Sequence, residues 1–383
     1  MENTLFGIEN FDGYAVIGIL LFFGLMETLA GYLHRSQRKL GDWIQEAGSF
    51  FLLSLLIKPG IVLLVLSLGH WLLPQWQHSL SGWSMWVLLP AYLLIDDLLQ
   101  YWYHRSAHEY PWLWKLHRPH HQAEEMGFFV SYRNAALYYV LMPNIWWVAL
   151  ITFLGGAKAV AIGLILKQLV IISSHSRLRW DAPLYQSRWL RPLVRLLERI
   201  IITPAFHQAH HGKSMLDGIS DPNGNYGNMF SFWDQLFGTA TYTHQFPTEL
   251  GLPNDPKDKW TASMFYPLVT SNKPQSEIAR GFRKRRTASR EPAVVELEQG
   301  RKYLWCRCGM SRSQPFCDGS HQGSKFKPLL FEAPKSGPVR LCNCKLTKQA
   351  PFCDFSHLKA GEGTASRDTK GSKRETKAYR SKT

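Results

Sequence analysis

Long uncharged runs separated by short polar stretches fill the first half of this chain. Tyr14–Leu33 is apolar except for Glu27 and is long enough to cross a bilayer. Ser49–Leu73 is a second run, interrupted by Lys58-Pro59-Gly60, which predicts a kink or a helical hairpin inside the membrane. Trp83–Tyr103 is a third, and Leu137–Gly155 and Ala157–Ser174 form a pair joined at Gly155-Gly156. The pattern predicts about four to five membrane helices. In Asp181–Ile202, arginines mix with Leu, Val and Ile at helical spacing, which suits a basic amphipathic helix on the membrane surface or an ordinary surface helix. Beyond Phe246 the chain turns polar and then offers short β-prone pieces, VVEL, RKYLW, KPLLF and VRLC, that suit a small β-rich fold. From Lys359 onward it is polar and basic, the composition of a disordered tail.

Composition sharpens this picture. The 383 residues include 15 Trp, 15 Tyr and 21 Phe, an aromatic load that suits membrane interfaces, and the formal net charge is +15. No nucleic-acid motif accompanies that charge, so an anionic membrane surface is the better partner. Met1–Asp12 and Leu73–Trp83 hold no Lys or Arg, whereas the stretches around the histidines are rich in them. By the positive-inside rule the N-terminus lies outside and the histidines face the cytoplasm. Met1–Gly13 is acidic and lacks the basic start of a secretory signal peptide. All six cysteines lie after residue 300, which points to metal or cluster chemistry in a reducing compartment and not to a secreted disulfide framework.

Candidate chemistry concentrates in three histidine boxes. Tyr101–His121 contains His104 and His108, then His117, His120 and His121, and His207, His210 and His211 repeat the second spacing. Histidines at i and i+4, or i, i+3 and i+4, share one helical face and free their ring nitrogens to converge on metal. Eight are too many for one ordinary zinc site and enough for two ions, and His175 offers a ninth. Imidazole suits iron, zinc, copper and nickel, so spacing does not name the ion. Asp97 shares a face with Tyr101, His104 and His108 inside an apolar run, and is the candidate carboxylate partner for a metal-bound ring. Lys167 and Gln168 also need partners, and Gln168 lies on the face of His175, either lining the site or bonding a neighbouring helix.

These boxes, His175 in SSHSRLRW, and NYGNMFSFWDQLFGT together resemble the fatty acid hydroxylase/sterol desaturase superfamily over residues 80–245. The resemblance implies a membrane-embedded, all-α, non-haem di-iron oxygenase with a cytosolic histidine-rich cap. Its ligands would be His104, His108, His117, His120, His121, His175, His207, His210 and His211. Some relatives carry another His four residues before the position of His175, where this chain has Ile171.

The C-terminal part holds an internal repeat. Cys306, Cys308, Cys317 and His321 share the spacing Cys-x-Cys-x8-Cys-x3-His with Cys342, Cys344, Cys353 and His357, and Pro315 and Pro351 precede each third cysteine by two. Three thiolates and an imidazole can bind zinc or a 2Fe–2S cluster. The pattern, with Ser311 and Thr347 at its hydroxyl position, resembles the CDGSH iron–sulfur family over residues 293–358. That resemblance implies one 2Fe–2S cluster per copy in a pseudo-dimer, although the second copy has Phe355 where the pattern has Gly. The expected domains are 1–245, a basic linker 246–292 containing Arg280–Arg286, the double cluster domain 293–358 and the tail 359–383. The function expected is O2-dependent hydroxylation or desaturation of a sterol or fatty-acyl lipid. The two clusters would supply electrons taken from an upstream reductase or ferredoxin. The rival reading is a membrane-anchored iron or redox sensor, and a hydrolytic zinc enzyme fits less well because no catalytic carboxylate accompanies the boxes.

Overall fold

A computed structural model describes residues 4–5, 8–9, 11–273, 276–279, 287–324 and 326–356. His357, the basic run Arg280–Arg286 and the tail from residue 357 lie outside the described residues. The helices that carry the site are α1 (Phe11–Leu29), α2 (Leu40–Leu72), α3 (Met85–Glu109), α4 (Pro111–His121), α5 (Ala136–Leu141), α6 (Pro143–Phe153) and α7 (Ala157–His175). By length and composition, α1, α2 and α7 can each cross a membrane, and α6 is a shorter apolar helix. Their outer faces bear this out: Leu21, Phe22, Leu29, Leu55, Leu63 and Trp71 are exposed, an apolar surface too extensive for water.

The second apolar run does not form the hairpin that Lys58-Pro59-Gly60 allows. It continues as one helix, with a π-helical turn at Leu53–Ile57 just before Pro59. Proline lacks the N–H that would close the preceding turn, and the widened turn absorbs the defect. α2 packs on α6, α1 on α7, and α3 on both α6 and α7. Buried polar side chains tie the bundle together. Glu27 of α1 accepts from the Phe128 and Arg177 amides, each at 3.1 Å, and from the Ser176 hydroxyl at 2.8 Å, which ties α1 to the cap. Lys167 pairs with Asp96, and Gln168 accepts from the Tyr132 hydroxyl at 2.7 Å.

The amphipathic stretch Asp181–Ile202 is two helices, α8 (Ala182–Gln186) and α9 (Arg191–Glu198), with Trp189, Leu193, Leu196 and Ile200 facing outward beside arginines. The helices α10 (Pro204–His210) and α11 (Phe232–Leu236) follow. The segment expected as a linker docks on the cap instead. Buried Arg118 pairs with Asp255 and, at 2.7 Å, with Asp258, and α12 (Trp260–Met264) packs on α2. A buried guanidinium requires such partners, and this segment supplies both carboxylates.

The β-prone pieces form strands β1 (Ala293–Leu297), β2 (Lys302–Trp305), β3 (Leu329–Glu332) and β4 (Gly337–Leu341). β1 pairs antiparallel with β4, in register Val295 with Val339, and β2 with β3, in register Leu304 with Leu330. Each two-stranded sheet therefore takes one strand from each sequence copy, and Trp305, Leu341, Cys342 and Cys344 close a shared core.

Candidate metal centre

Four helices bring the boxes together. His104 and His108 lie on the last turns of α3, and His117, His120 and His121 on α4. His175 ends α7, and α10 carries His207 and His210, with His211 as its cap. Thr203 caps α10 by accepting from the Phe206 amide at 3.4 Å, and Pro204 suits its first turn. The nine rings are buried and fall into two groups. His104, His108, His117, His121 and His210 form one, and His120, His175, His207 and His211 the other, with ligand atoms in each group within 4.8 Å of one another.

The outer nitrogens fix which atom faces inward. Nδ1 of His104, His120, His175 and His210 bonds the carbonyls of Tyr226, Val130, Ile171 and Gly224 at 2.8, 3.0, 2.7 and 2.7 Å. Nδ1 of His117 bonds the Asn134 side-chain oxygen at 2.8 Å. A ring whose Nδ1–H is so engaged presents a bare Nε2 lone pair. Those lone pairs face each other. His175 Nε2 is 2.9 Å from His207 Nε2 and 3.3 Å from His120 Nε2, and His104 Nε2 is 3.1 Å from His210 Nε2. Ligands held about 2.0–2.1 Å from an ion at right or tetrahedral angles stand roughly 2.8–3.4 Å apart. Nε2 of His117 and His121 and both nitrogens of His108 are buried with no hydrogen-bond partner. Burial pushes the pKa of His117, His120, His121, His207, His210 and His211 well down, so these rings are neutral and ready to ligate. The residues fit a pair of metal ions.

Asp97 does not serve the role expected of it. Its two oxygens accept from the Met229 and Phe230 amides at 2.9 Å, so it anchors the loop whose Tyr226 and Gly224 carbonyls orient His104 and His210. Asp234 secures the same loop, accepting from the Tyr226 and Gly227 amides at 2.7 Å and from the Thr239 hydroxyl at 2.6 Å. Asn134 and Asp234 are the functional side chains that sequence reasoning missed. The Asn-Tyr-Gly-Asn run before Asp234 was the available signal.

Five of the histidines, His104, His117, His120, His175 and His207, line a cavity of about 400 Å³. Its walls include Phe50, Leu53 and Ile145, and Ile17 and Leu55 at its margin are exposed on the apolar outer face. On the cysteine side, Cys306 and Cys308 sulfurs lie 3.6 Å apart, Cys317 Sγ is 3.1 Å from His321 Nδ1, and Cys342 and Cys344 are 3.3 Å apart. The copies share their internal bonds. The Ser311 and Thr347 hydroxyls donate to the Phe316 and Phe352 carbonyls, and Asp318 and Asp354 each accept from the backbone of the preceding turn. Cys353 belongs to the same fold in the second copy, where its amide donates to the Arg340 carbonyl at 3.0 Å as that of Cys317 does to Leu304 at 2.8 Å.

A helical membrane bundle ending in a histidine cage, followed by a cysteine repeat, defines the class. Residues 89–239 match the fatty acid hydroxylase family and residues 280–322 the family described as iron-binding zinc finger CDGSH type, so the chain carries a fatty acid hydroxylase domain with a CDGSH-type domain after it. It is 27% identical over 252 residues to alkylglycerol monooxygenase of Danio rerio, covering 62% of this chain and 50% of that one. It is 30% identical over 184 residues to fatty acid hydroxylase vlmA of Lecanicillium sp, covering 42% and 44%. It is 52% identical over 48 residues to CDGSH iron-sulfur domain-containing protein 3, mitochondrial, of Homo sapiens, covering 12% and 38%. The chain spans half or less of the length of these relatives.

Proposed function

We propose that this chain is a membrane-bound, non-haem di-iron oxygenase that inserts oxygen into an alkyl chain of a lipid, an ether lipid or fatty-acyl lipid being the substrate class its relatives suggest. The observation that carries the reading is the meeting of two neutral-imidazole groups with an apolar cavity open to the lipid-facing surface. A pair of irons held there supplies O2 activation, which no side chain can. The chain's own residues do the rest. The cavity strips water from an alkyl chain and presents its target carbon to the rings. The carbonyls of Tyr226, Val130, Ile171 and Gly224 and the Asn134 amide hold the rings in the ligating tautomer.

In this reading His104, His108, His117, His121 and His210 hold one iron, and His120, His175, His207 and His211 the other. Cys306, Cys308, Cys317 and His321, and Cys342, Cys344, Cys353 and His357, each hold a 2Fe–2S cluster that supplies electrons taken from an external reductase or ferredoxin. The histidines and cysteines face the cytoplasm. A sensor has no use for a lipid-sized cavity lined by the metal ligands. The purified full chain, in lipid vesicles with a reduced donor and O2, is expected to yield lipid heavier by one oxygen. His120→Ala should abolish that product and keep the visible absorption of the clusters. Unchanged lipid masses with the wild-type chain would sink the proposal.

A further inference from the structure

One side chain touches both the histidine cage and the first cysteine copy. Trp114 of α4 is buried, and its indole lies 5.2 Å from the His108 ring and 5.6 Å from the His121 ring, centroid to centroid. The same residue touches the first cysteine copy. A Cβ built on Gly323 would stand 2.6 Å from Trp114 Cβ, Cγ and Cδ1, and Gly323 has φ +70°, so only glycine permits this approach. Gly323 follows His321 by two residues. Neighbouring contacts hold the loop there: Pro253 fills the space a side chain on Gly319 would need, the Asn254 amide donates to the Asp318 carbonyl at 3.4 Å, and the Lys327 ammonium donates to the Asn223 carbonyl. Pro253 and Asn254 are themselves next to Asp255, which Arg118 of α4 holds.

The second copy is joined to the first from the other strand. Trp305, beside Cys306, donates its indole N–H to the Cys342 carbonyl at 2.9 Å, and Lys345 donates to the same carbonyl at 3.0 Å with its ammonium 4.8 Å from the Trp305 ring. The order of contacts is therefore second copy, first copy, Trp114, histidine cage.

We propose that Trp114 is the bridge by which electrons pass from the first cysteine site to the histidine cage of the same chain. This rests on the oxygenase reading. Each hydroxylation takes R–H, O2, two protons and two electrons to R–OH and water. An external one-electron donor of the ferredoxin or flavin-reductase class is oxidised twice, and Trp114 undergoes no net change. Its role is to fill with a conjugated ring the gap between His321 and the His108 and His121 rings. Trp114 is a positioning and relay residue and touches no substrate.

The test uses the full chain loaded with iron and clusters. The clusters are reduced chemically, mixed with O2 and lipid vesicles, and the return of oxidised-cluster absorption is followed by stopped flow. Trp114→Leu is expected to slow that return, and Trp114→Phe to slow it less, because the aliphatic side chain leaves the two sites without a conjugated contact. Iron content and static cluster absorption should match the wild type. A small chemical reductant that reaches the cage directly should restore lipid product in Trp114→Leu. Gly323→Val, which forces the loop off an intact Trp114, serves if Trp114→Leu fails to fold and should slow the return likewise. Wild-type reoxidation rates in both variants would overturn the bridge. Lack of lipid product from the wild type with the direct reductant would instead overturn the oxygenase reading on which it rests.

Discussion

Replacing Asn134 with leucine probes whether the cage depends on its oriented rings. The Asn134 oxygen accepts from His117 Nδ1 at 2.8 Å inside a fully buried site, while its amide reaches only to 3.5 Å from the Tyr139 hydroxyl. The other bonds at this residue use its backbone carbonyl, which Gln45 and Ser49 reach at 3.3 and 3.0 Å and which survives substitution. Leucine thus removes one bond and little else. Leaving a buried N–H unmet costs about 1–3 kcal/mol. Loss of such a supporting partner typically weakens metal binding about 10–100-fold, or roughly 1.4–2.7 kcal/mol, so the two estimates agree. The assay is competition for ferrous ion between a chelator and the full chain, with cluster absorption as the internal control. Asn134→Leu should lose about 10–100-fold in affinity at the cage, and Asn134→Asp, which keeps the acceptor, should lose much less. Equal affinity in wild type and Asn134→Leu, or equal losses in both variants, would refute the argument.

Glu46 pairs with Arg38 at 3.0 Å and Arg133 at 3.2 Å, nearly all buried, so Glu46→Ala should destabilise the apo chain by about 3–5 kcal/mol in thermal unfolding. Burial holds the Asp234 carboxyl up to about 6, above its ordinary value. Because the folded pKa is raised, the folded state keeps a proton that the unfolded state releases. The stability this group contributes should therefore decline as pH rises from about 4 to about 6 and stay level above that. Melting curves across that window should show the decline, and Asp234→Asn should lessen it, the buried Asp181 carboxyl, also held up to about 6, supplying part of the remainder. If, as proposed, each copy carries its own ligand set, Cys353→Ser should lower cluster absorption by about half while the first copy keeps its spectrum. An all-or-none loss would mean a single shared cluster.

Eight of the nine clustered histidines were legible in the sequence because their spacing is local: i and i+4 on a helix aligns two rings whatever the helix packs against. Their division into five and four was not, since it depends on how α3, α4, α7 and α10 cross. Asp97 shows the limit in another way. A carboxylate in an apolar run must find donors, yet the donors are the backbone amides of Met229 and Phe230, far along the chain, which no side-chain pattern reveals. For the same reason the four backbone carbonyls that orient the rings left no trace. The β pieces were visible from composition, but their exchange between copies was not, because pairing within a copy would satisfy the same alternation. Of the kink or hairpin expected at Lys58-Pro59-Gly60, the hairpin does not form, because the apolar run on both sides of Pro59 is long enough to continue as one helix through the π turn at Leu53–Ile57.

The central claim is that imidazoles from four helices hold two irons side by side, and anomalous scattering at the iron edge from crystals of the full chain tests it most directly. The account predicts two adjacent peaks, one among His104, His108, His117, His121 and His210 and one among His120, His175, His207 and His211, distinct from the iron at the cysteines. A single peak among the histidines, or iron at the cysteines alone, would contradict it.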